Sequence, residues 1–247
     1  MISTEQKYTE EHFNSVANGK TSSSYEMRRW GADARVEQQR ETSREYIEIL
    51  VLPLIKNAKQ ITEVGAGPGT WTIMFKRANP KASFRLYDIS SEMLTLAEAA
   101  LKGSVVELKV GDFVEAVVDK ESADFFFSSR AIEYFSDKQK SIHSISTMLV
   151  HGGSGAIVTK MPKRRVNMLL GRKPSSLHSH QIYPSRLAEL LSGAGCKDIQ
   201  LYPVTFAVPL FRSANLDRLA AHLFKLKKLS WISAFFAESY GVTFTKP

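Results

Sequence analysis

Three glycines stand in a pattern that suits the binding of a nucleotide-like ligand. Gly65, Gly67 and Gly69 follow a short apolar run at 61–64 and precede a helical pattern at 71–78. Glycines in such a turn allow backbone conformations that a Cβ forbids, so main-chain N–H groups and a helix N-terminus approach a ligand closely. The pattern therefore predicts a strand, a glycine turn and a helix that together hold a ligand.

An acidic residue ends the next predicted strand at a spacing that a strand-helix-strand unit produces. The strand covers 83–88, and Asp88 lies 23 positions after Gly65. A carboxylate at the end of the second strand accepts both hydrogen bonds of a ribose diol, and about 20 residues is the usual spacing from the glycine turn. The ligand is therefore expected to contain a ribose.

The glycine spacing separates two classes of ribose-containing ligand. Dinucleotide-binding proteins use G-x-G-x-x-G, whereas residues 65–69 read G-x-G-x-G. Glu63 stands two positions before the first glycine, where a carboxylate would repel a pyrophosphate but tolerate a cation. These residues favour a cationic ligand and disfavour a nicotinamide oxidoreductase.

The predicted elements around these residues alternate between strand and helix. An apolar run at 123–128 is typical of a central strand that is buried on both faces. The alternation predicts an α/β fold, with helices on both faces of a parallel sheet. The predicted strands are 61–65, 83–88, 105–110, 123–128, 155–160, 198–202 and 240–245. The predicted helices are 36–55, 69–78, 91–101, 137–149 and 184–192, with a further helical region at 216–236.

The sequence E-V-G-A-G-P-G at 63–69 resembles the first motif of the class I S-adenosylmethionine-dependent methyltransferases. The resemblance covers residues 36–200, and its four motifs fall at the ends of four successive predicted strands. The family implies a Rossmann-like sheet of seven mostly parallel strands, with helices on both faces and an antiparallel last strand. It also implies S-adenosylmethionine as the cofactor, which carries a sulfonium and an ammonium group and no phosphate.

The resemblance implies a role for each of these motifs. The glycine turn wraps the methionine part of the cofactor, Glu63 helps to fix its amino group, and Asp88 holds the ribose hydroxyls. Asp112 accepts a hydrogen bond from the adenine amino group, and Phe113 flanks the ring. The implied cofactor-binding residues are Glu63, Gly65, Ala66, Gly67, Gly69, Asp88, Ile89, Asp112, Phe113, Ser129 and Arg130.

Three side chains are candidates for a catalytic base. A hydroxyl or amine acceptor must lose a proton while the nucleophile, methyl group and sulfur are aligned. The expected base is His180, because histidine titrates near neutral pH, and Glu133 and Tyr183 are the other catalytic candidates. The alternatives are that His180 belongs to a solvated or phosphate-binding loop and that Glu133 forms only a salt bridge.

Length and composition indicate one large globular domain. The chain has 247 residues, a formal charge of +8 and a single cysteine, Cys196, which excludes an internal disulfide. Its polar N-terminus lacks the apolar core of a signal peptide, and no run reaches the roughly 18 apolar residues of a membrane span. A cytoplasmic location is therefore expected. No cluster of metal-ligating residues is found, and no metal is expected.

The residues outside the alternating pattern form an N-terminal arm and two insertions. Residues 1–35 are expected to be an arm or lid, of which 1–24 are mobile. The domain at 36–247 carries substrate-side insertions near 161–183 and 203–236. The expected substrate or lid residues are Tyr25, Arg28, Trp30 and His178. Packing of Tyr25 and Trp30 on the core is the alternative.

The expected class of acceptor follows from two catalytic motifs that the sequence does not contain. The turn after the fourth strand reads SSRA rather than an N-P-P-Y type tetrad, and paired catalytic cysteines are absent. The expected reaction is O-methylation of a small-molecule, lipid or glycan acceptor. The rival functions are an RNA-modifying methyltransferase, whose binding would depend strongly on salt, and a non-catalytic cofactor-binding scaffold.

A basic and apolar segment at 216–236 adds one expected partner. Its leucines lie near helical spacing beside lysines, a pattern typical of a helix on an anionic membrane. The same pattern fits a lid over a hydrophobic substrate or a core helix with a solvated basic face. Peripheral contact with an anionic membrane is therefore one expectation, and nucleic acid is a less favoured partner.

Overall fold

The computed structural model describes residues 4–21, 23–25, 27, 33–162, 180–208 and 213–247. The helices of this part are α1 Thr4–Ala17, α2 Ala34–Tyr46, α3 Leu52–Ile55, α4 Thr70–Ala78, α5 Ser91–Ala100, α6 Lys138–Met148, α7 Pro184–Gly193, α8 Ala214–Phe224 and α9 Trp231–Phe236. The strands are β1 Gln60–Val64, β2 Ser83–Asp88, β3 Val106–Val110, β4 Ala123–Ser129, β5 Leu149–Lys160, β6 Lys197–Phe206 and β7 Ala237–Thr245.

The strands form one seven-stranded sheet in the order β3-β2-β1-β4-β5-β7-β6. The first five strands of this order pair in parallel, and β7 pairs antiparallel with both β5 and β6. The predicted α/β fold, with its seven strands and antiparallel β7, is confirmed.

The register of the central strands brings their carboxyl ends to one edge. Val64 at the end of β1 is paired with Tyr87 of β2 and with Ser128 of β4. Asp88 at the end of β2 is paired with Val110 of β3. The turns that follow β1, β2, β3 and β4 are therefore neighbours, and ligands of open α/β sheets bind at such an edge.

Phenylalanines of β4 fill the core on both faces of the sheet. Phe125 and Phe127 pack on one face, where the Phe127 ring meets Phe75 edge-on at a centroid distance of 4.9 Å. Phe126 points to the other face and lies 6.2 Å from the ring of Phe113. Full burial of each such side chain contributes about 2–3 kcal/mol. The predicted central strand is thus the main support of the edge that carries the turns.

The N-terminal segment differs from its prediction. Residues 1–24 were expected to lack structure, but Thr4–Ala17 form α1, which packs against α5. Ala17 and Tyr25 bury their side chains with Met93 of α5 in a separate small apolar cluster. This tertiary contact stabilises a helix whose polar sequence offers little apolar surface.

Three further boundaries also differ from the sequence-based elements. The predicted helix 36–55 is interrupted by a π-helical turn at Ile47–Val51, and Pro53 lies in the first turn of α3, where a missing N–H costs little. The helical region 216–236 is two helices, with Leu226 between them at φ 62°. The sheet also extends into the predicted insertion at 203–236, because β6 continues to Phe206.

Two kinds of feature are absent from the residues that the structure describes. None of their helices combines the length and apolar character needed to cross a membrane. Within the same residues, no group of three or more histidine, cysteine, aspartate or glutamate side chains is arranged to hold a metal ion.

Candidate cofactor and acceptor site

A cavity of about 440 Å³ lies at the carboxyl ends of β1, β2, β3 and β4. Its wall has two parts that come from different regions of the chain. We call the part formed by the turns after the strands and by the start of α5 the floor, and it comprises Val64, Gly65, Gly67, Tyr87, Asp88, Ile89, Met93, Gly111, Asp112, Phe113, Ser129, Arg130, Ala131, Tyr134 and Phe135. We call the part formed by the N-terminal segment the cover, and it comprises Gln6, Thr9, His12, Phe13, Val16 and Tyr25.

The glycine turn forms the floor beside β1. Gly65 has φ 73°, its N–H donates to the Tyr87 carbonyl at 2.8 Å, and a Cβ there would overlap the Cβ of Ala131. Gly67 has φ 54°, and a Cβ at this position would meet nothing within 4 Å. The first glycine is therefore required by close packing, whereas the second faces open space that a ligand can occupy.

Asp88 ties the ends of β1 and β2 together. Its Oδ2 accepts from the N–H of Gly67 at 2.8 Å, and its Oδ1 accepts from the N–H of Ser90 at 2.9 Å. Burial raises the pKa of this carboxyl, while the backbone N–H groups of Ser90, Gly67 and Ile89 act in the opposite direction. The carboxylate therefore stands at the cavity wall in a fixed orientation.

Glu63 lies below the floor and is not among the residues that line the cavity. Its side chain is completely buried, and Oε2 accepts a hydrogen bond from the Thr72 hydroxyl at 2.6 Å. Oε1 has no hydrogen-bond partner among the described residues. Burial raises the pKa of Glu63 to about 8, opposed by the Thr72 hydrogen bond and assisted by the charge of Asp88. Ala66 and Gly69, also predicted for the cofactor, belong to the same turn but do not line the cavity.

Asp112 connects the floor to the cover. Its Oδ1 accepts from the N–H of Val114 at 3.0 Å, and its Oδ2 accepts from the side-chain amide of Gln6. The next residue, Phe113, is buried edge-on against Tyr87 at a centroid distance of 5.3 Å. The turn after β3 therefore presents one oriented carboxylate and one aromatic ring at the cavity.

Arg130 lies in the cavity wall directly after β4. It has φ 62°, and its N–H donates to the Val158 carbonyl at 2.8 Å. Its Nε donates to Oε1 of Glu133 at 2.7 Å, and the Thr159 hydroxyl donates to Oε2 of the same carboxylate at 2.7 Å. Burial opposes the charge of Arg130, but the contact with Glu133 raises the pKa of the guanidinium above its ordinary value. Arg130 is thus a fixed cation at the cavity.

The predicted catalytic bases do not come together at this wall. Glu133 is completely buried, and its carboxylate accepts hydrogen bonds from Arg130 and Thr159. It is not among the residues that line the cavity, where a base would face the acceptor. His180 and Tyr183 are absent from the lining residues, and Tyr183 is 49% exposed immediately before α7. No base is therefore assigned among these three residues.

Of the four predicted substrate or lid residues, one lies within the part of the chain that the structure describes. Tyr25 lines the cavity as part of the cover, and its side chain is buried. Arg28, Trp30 and His178 lie outside the described residues.

The residues of α1 are the part of the site that the sequence analysis missed. Gln6, Thr9, Phe13 and Val16 recur at three- and four-residue intervals, which places them on one side of a helix. The Phe13 ring meets Tyr134 of the floor edge-on at a centroid distance of 5.6 Å. The helical spacing of Thr9, Phe13 and Val16 was a signal in the sequence, although most of the segment is polar.

Known proteins resemble this chain in sequence and in fold. Residues 61–153 match the family described as Methyltransferase domain. The chain is 22% identical over 217 residues to trans-aconitate 2-methyltransferase from Escherichia coli. This match covers 84% of the chain and 79% of that protein. It is 26% identical over 122 residues to malonyl-[acyl-carrier protein] O-methyltransferase from Priestia megaterium, but this match covers 49% of the chain and only 44% of that protein.

A solved structure supports the same assignment at the level of the fold. A SAM-dependent methyltransferase from Thermotoga maritima, described as a possible histamine N-methyltransferase, superposes with a TM-score of 0.62 and 14% identity. The superposition covers 98% of each chain. The matched segment contains the glycine turn, Asp88 and Asp112, which all line or support the cavity. Residues 61–153 therefore form a methyltransferase domain, and the fold of the chain is shared with S-adenosylmethionine-dependent methyltransferases.

Proposed function

We propose that the protein transfers a methyl group from S-adenosylmethionine to a carboxylate oxygen of its acceptor. Such an acceptor is a small-molecule, lipid or glycan acid. The observation that carries this proposal is Arg130, which lines the cavity and whose Nε donates to the buried carboxylate of Glu133. A guanidinium retains further N–H donors when Nε is engaged, and its planar geometry matches a carboxylate.

The floor supplies the contacts that the cofactor needs. Gly67 faces open space, and Asp88 and Asp112 present oriented carboxylates at the wall. We assign Asp88 to the ribose hydroxyls, Asp112 to the adenine amino group, and Ile89 and Phe113 to the two sides of the adenine ring. When bound, S-adenosylmethionine supplies a methyl group that its sulfonium activates towards nucleophiles. Ser129 and Arg130 belong at the methyl end of the cavity, because they follow the strand next to the glycine turn.

A carboxylate acceptor accounts for the absence of an assigned base. The pKa values of carboxylic acids lie near 4, so these groups are ionised at neutral pH and their oxygens are nucleophilic without proton removal. The contribution of the protein is then to hold the acceptor oxygen in line with the methyl group and sulfur. The buried position of Glu133 and the location of Tyr183 away from the cavity are compatible with this reaction.

The names of two relatives point to the same class of acceptor. One is named for trans-aconitate and the other for a malonyl group, and both names denote carboxylic acids. Because these relatives are distant, they support the acceptor class and not a particular acid.

The test is a screen of acceptors with the purified protein and S-adenosylmethionine, read as formation of S-adenosylhomocysteine. We expect turnover with members of a panel of di- and tricarboxylic acids and acyl-carrier thioesters, and a base-labile methyl ester as the product. Turnover confined to amines, or to hydroxyl groups of uncharged acceptors, would contradict the proposal.

Arg130 is tested by a pair of variants that separate acceptor binding from folding. The change Arg130→Gln leaves the carboxylate of Glu133 buried without its cation, whereas the double change Arg130→Gln/Glu133→Gln removes both charges together. We expect the double variant to bind S-adenosylhomocysteine normally and to show a KM for the acid raised about 100-fold, as loss of a charge-assisted contact predicts. An unchanged KM in a folded double variant would remove Arg130 from acceptor recognition.

A further inference from the structure

Helices α8 and α9, which contribute none of the residues that line the cavity, expose large apolar side chains. Leu216, Leu219 and Leu223 of α8 recur at helical spacing and are all exposed, with Leu219 at 55%. Trp231, Ile232 and Phe235 of α9 are exposed as well, and Trp231 reaches 84%. We call these six residues the apolar face. Clusters of this kind in soluble proteins mark interaction sites more often than single exposed leucines do.

The two helices form one unit, so the apolar face is not a product of frayed ends. Phe224 of α8 and Phe236 of α9 stack with ring planes 13° apart and centroids 5.8 Å apart. Phe236 also packs against a small buried cluster that contains Phe206. A capping box of Ser230 and Ser233 starts α9. The outward side chains are therefore held on a folded base.

Two ion pairs attach this unit to the N-terminal half of the domain. The buried carboxylate of Asp217 accepts from Nε of Arg35 at 2.6 Å and from the N–H of Val208 at 2.7 Å. Lys225 lies 2.8 Å from the carboxylate of Glu45. These contacts engage the one acidic residue of 213–236 and one of its lysines, and they hold α8 against the rest of the domain.

The charge around the apolar face is positive. Arg218, Lys227 and Lys228 are exposed, and among the described residues none of them forms a salt bridge. The acidic residue of the segment, Asp217, is buried and neutralised by Arg35. An apolar strip beside unpaired cations is complementary to a surface that offers both anionic groups and hydrocarbon.

We propose that α8 and α9 dock the protein on an anionic lipid bilayer. Trp231, Ile232, Phe235 and the leucines of α8 would enter the boundary between headgroups and acyl chains, and Lys227 and Lys228 would contact anionic headgroups. Interfacial helices bind by this combination of buried apolar area and attraction to anionic lipids. A tryptophan at 84% exposure is suited to the interface, since its ring is apolar and its N–H finds a polar partner there.

A second copy of the chain is a less favourable occupant of the same surface. A two-fold symmetric interface places the same patch on both sides, so each copy would bring its own Lys227 and Lys228 to the interface. Like charges brought together at an interface oppose association. The charge pattern therefore favours the bilayer, and self-association becomes one outcome of the test.

The experiment is vesicle flotation of the full chain, with phosphatidylcholine alone compared with phosphatidylcholine that contains about 30% phosphatidylglycerol. We expect binding to the anionic vesicles that weakens with salt, and at least about tenfold weaker binding to the neutral ones. The emission of Trp231 should shift to shorter wavelength on binding. The change Trp231→Phe should remove that shift but retain binding, because phenylalanine keeps the apolar side chain.

Surface variants separate this face from the general positive charge of the protein. Trp231→Ser/Leu219→Ser should lower vesicle affinity at least about tenfold, and so should Lys227→Glu/Lys228→Glu. The matched control is Lys56→Glu/Lys102→Glu, which changes the same charge at two exposed lysines elsewhere and should leave most of the binding.

Three results would overturn the proposal. The first is no binding to anionic vesicles, and the second is equal loss of binding in the control and in Lys227→Glu/Lys228→Glu. The third is a dimer in sedimentation that dissociates in Trp231→Ser/Leu219→Ser, because the occupant would then be a second copy of the chain. None of these results depends on the acceptor or on turnover.

Discussion

The floor and the cover of the cavity are held in place by different kinds of contact. The floor is continuous with the sheet through backbone hydrogen bonds, such as Gly65 N–H to the Tyr87 carbonyl at 2.8 Å and Gly111 N–H to the Asp88 carbonyl at 2.9 Å. The cover rests on the cluster of Ala17, Tyr25 and Met93 and on side-chain contacts with the floor.

The floor and the cover therefore contribute differently to fold stability and to cofactor affinity. A change in the floor disturbs hydrogen bonds on which the sheet depends, so it lowers both the free energy of unfolding and cofactor affinity. A change in the cover removes apolar contacts of a peripheral helix and spares the sheet.

The change Gly65→Ala is expected to have the largest effect, because it adds a Cβ that overlaps Ala131 at a residue with positive φ. We expect a loss of about 3 kcal/mol in the free energy of unfolding and at least a 100-fold loss in affinity for S-adenosylhomocysteine. Urea denaturation and calorimetric titration measure the two quantities. Gly103→Ala is the control, since Gly103 has φ 81° with nothing within 4 Å of an added Cβ and should lose only about 1 kcal/mol.

Asp88→Asn should act mainly on the cofactor. The amide retains one oxygen acceptor but places an NH₂ group against a backbone donor, so we expect a loss of about 1–2 kcal/mol in stability. Affinity for S-adenosylmethionine in calorimetry should fall about 50-fold, because a ribose diol loses a charged acceptor. Wild-type affinity in the folded variant would remove the ribose assignment.

Phe13→Ala tests the cover. The ring packs against Tyr134 of the floor, so its loss should open the cavity and weaken cofactor binding about tenfold, with a change in unfolding free energy below about 1 kcal/mol. Tyr8→Ala on the exposed side of α1 is the matched control and should change neither quantity. If Phe13→Ala destabilised the fold as strongly as Gly65→Ala, the division between floor and cover would be incorrect.

Glu63→Gln tests the region below the floor through the pH dependence of stability. The folded pKa of about 8 lies above the value of an unfolded glutamate, so the folded state retains a proton that the unfolded state has released. The free energy of unfolding should therefore fall as pH rises from about 5 to about 8. The glutamine variant should lack this part of the decline, which we expect to be about 3–4 kcal/mol, because each pH unit between the two pKa values corresponds to about 1.4 kcal/mol.

Urea titrations at both ends of this pH range measure the effect. Glu98→Gln, at an exposed position of α5, is the control and should follow the wild-type curve. An identical decline in Glu63→Gln and in wild type would show that another group is responsible.

The parts of the molecule that the sequence predicted depend on short-range patterns. The glycine spacing at 65–69, the strand that ends at Asp88 and the apolar strand β4 are each visible within a few residues. Their order along the chain was also sufficient for the sheet, because strands and helices that alternate have few ways to form a parallel sheet.

Local sequence patterns thus specified the alternation of strands and helices and the turns that form the floor. The position of α1 as the cover depends instead on contacts between distant residues, with Gln6 bonded to Asp112 across 106 positions of the chain. Tertiary structure also placed Arg130 in the wall and buried its partner Glu133. The physical reason is that side-chain burial and ion pairing depend on which distant elements meet. Spacing within one element records which residues share a side, but not what that side contacts.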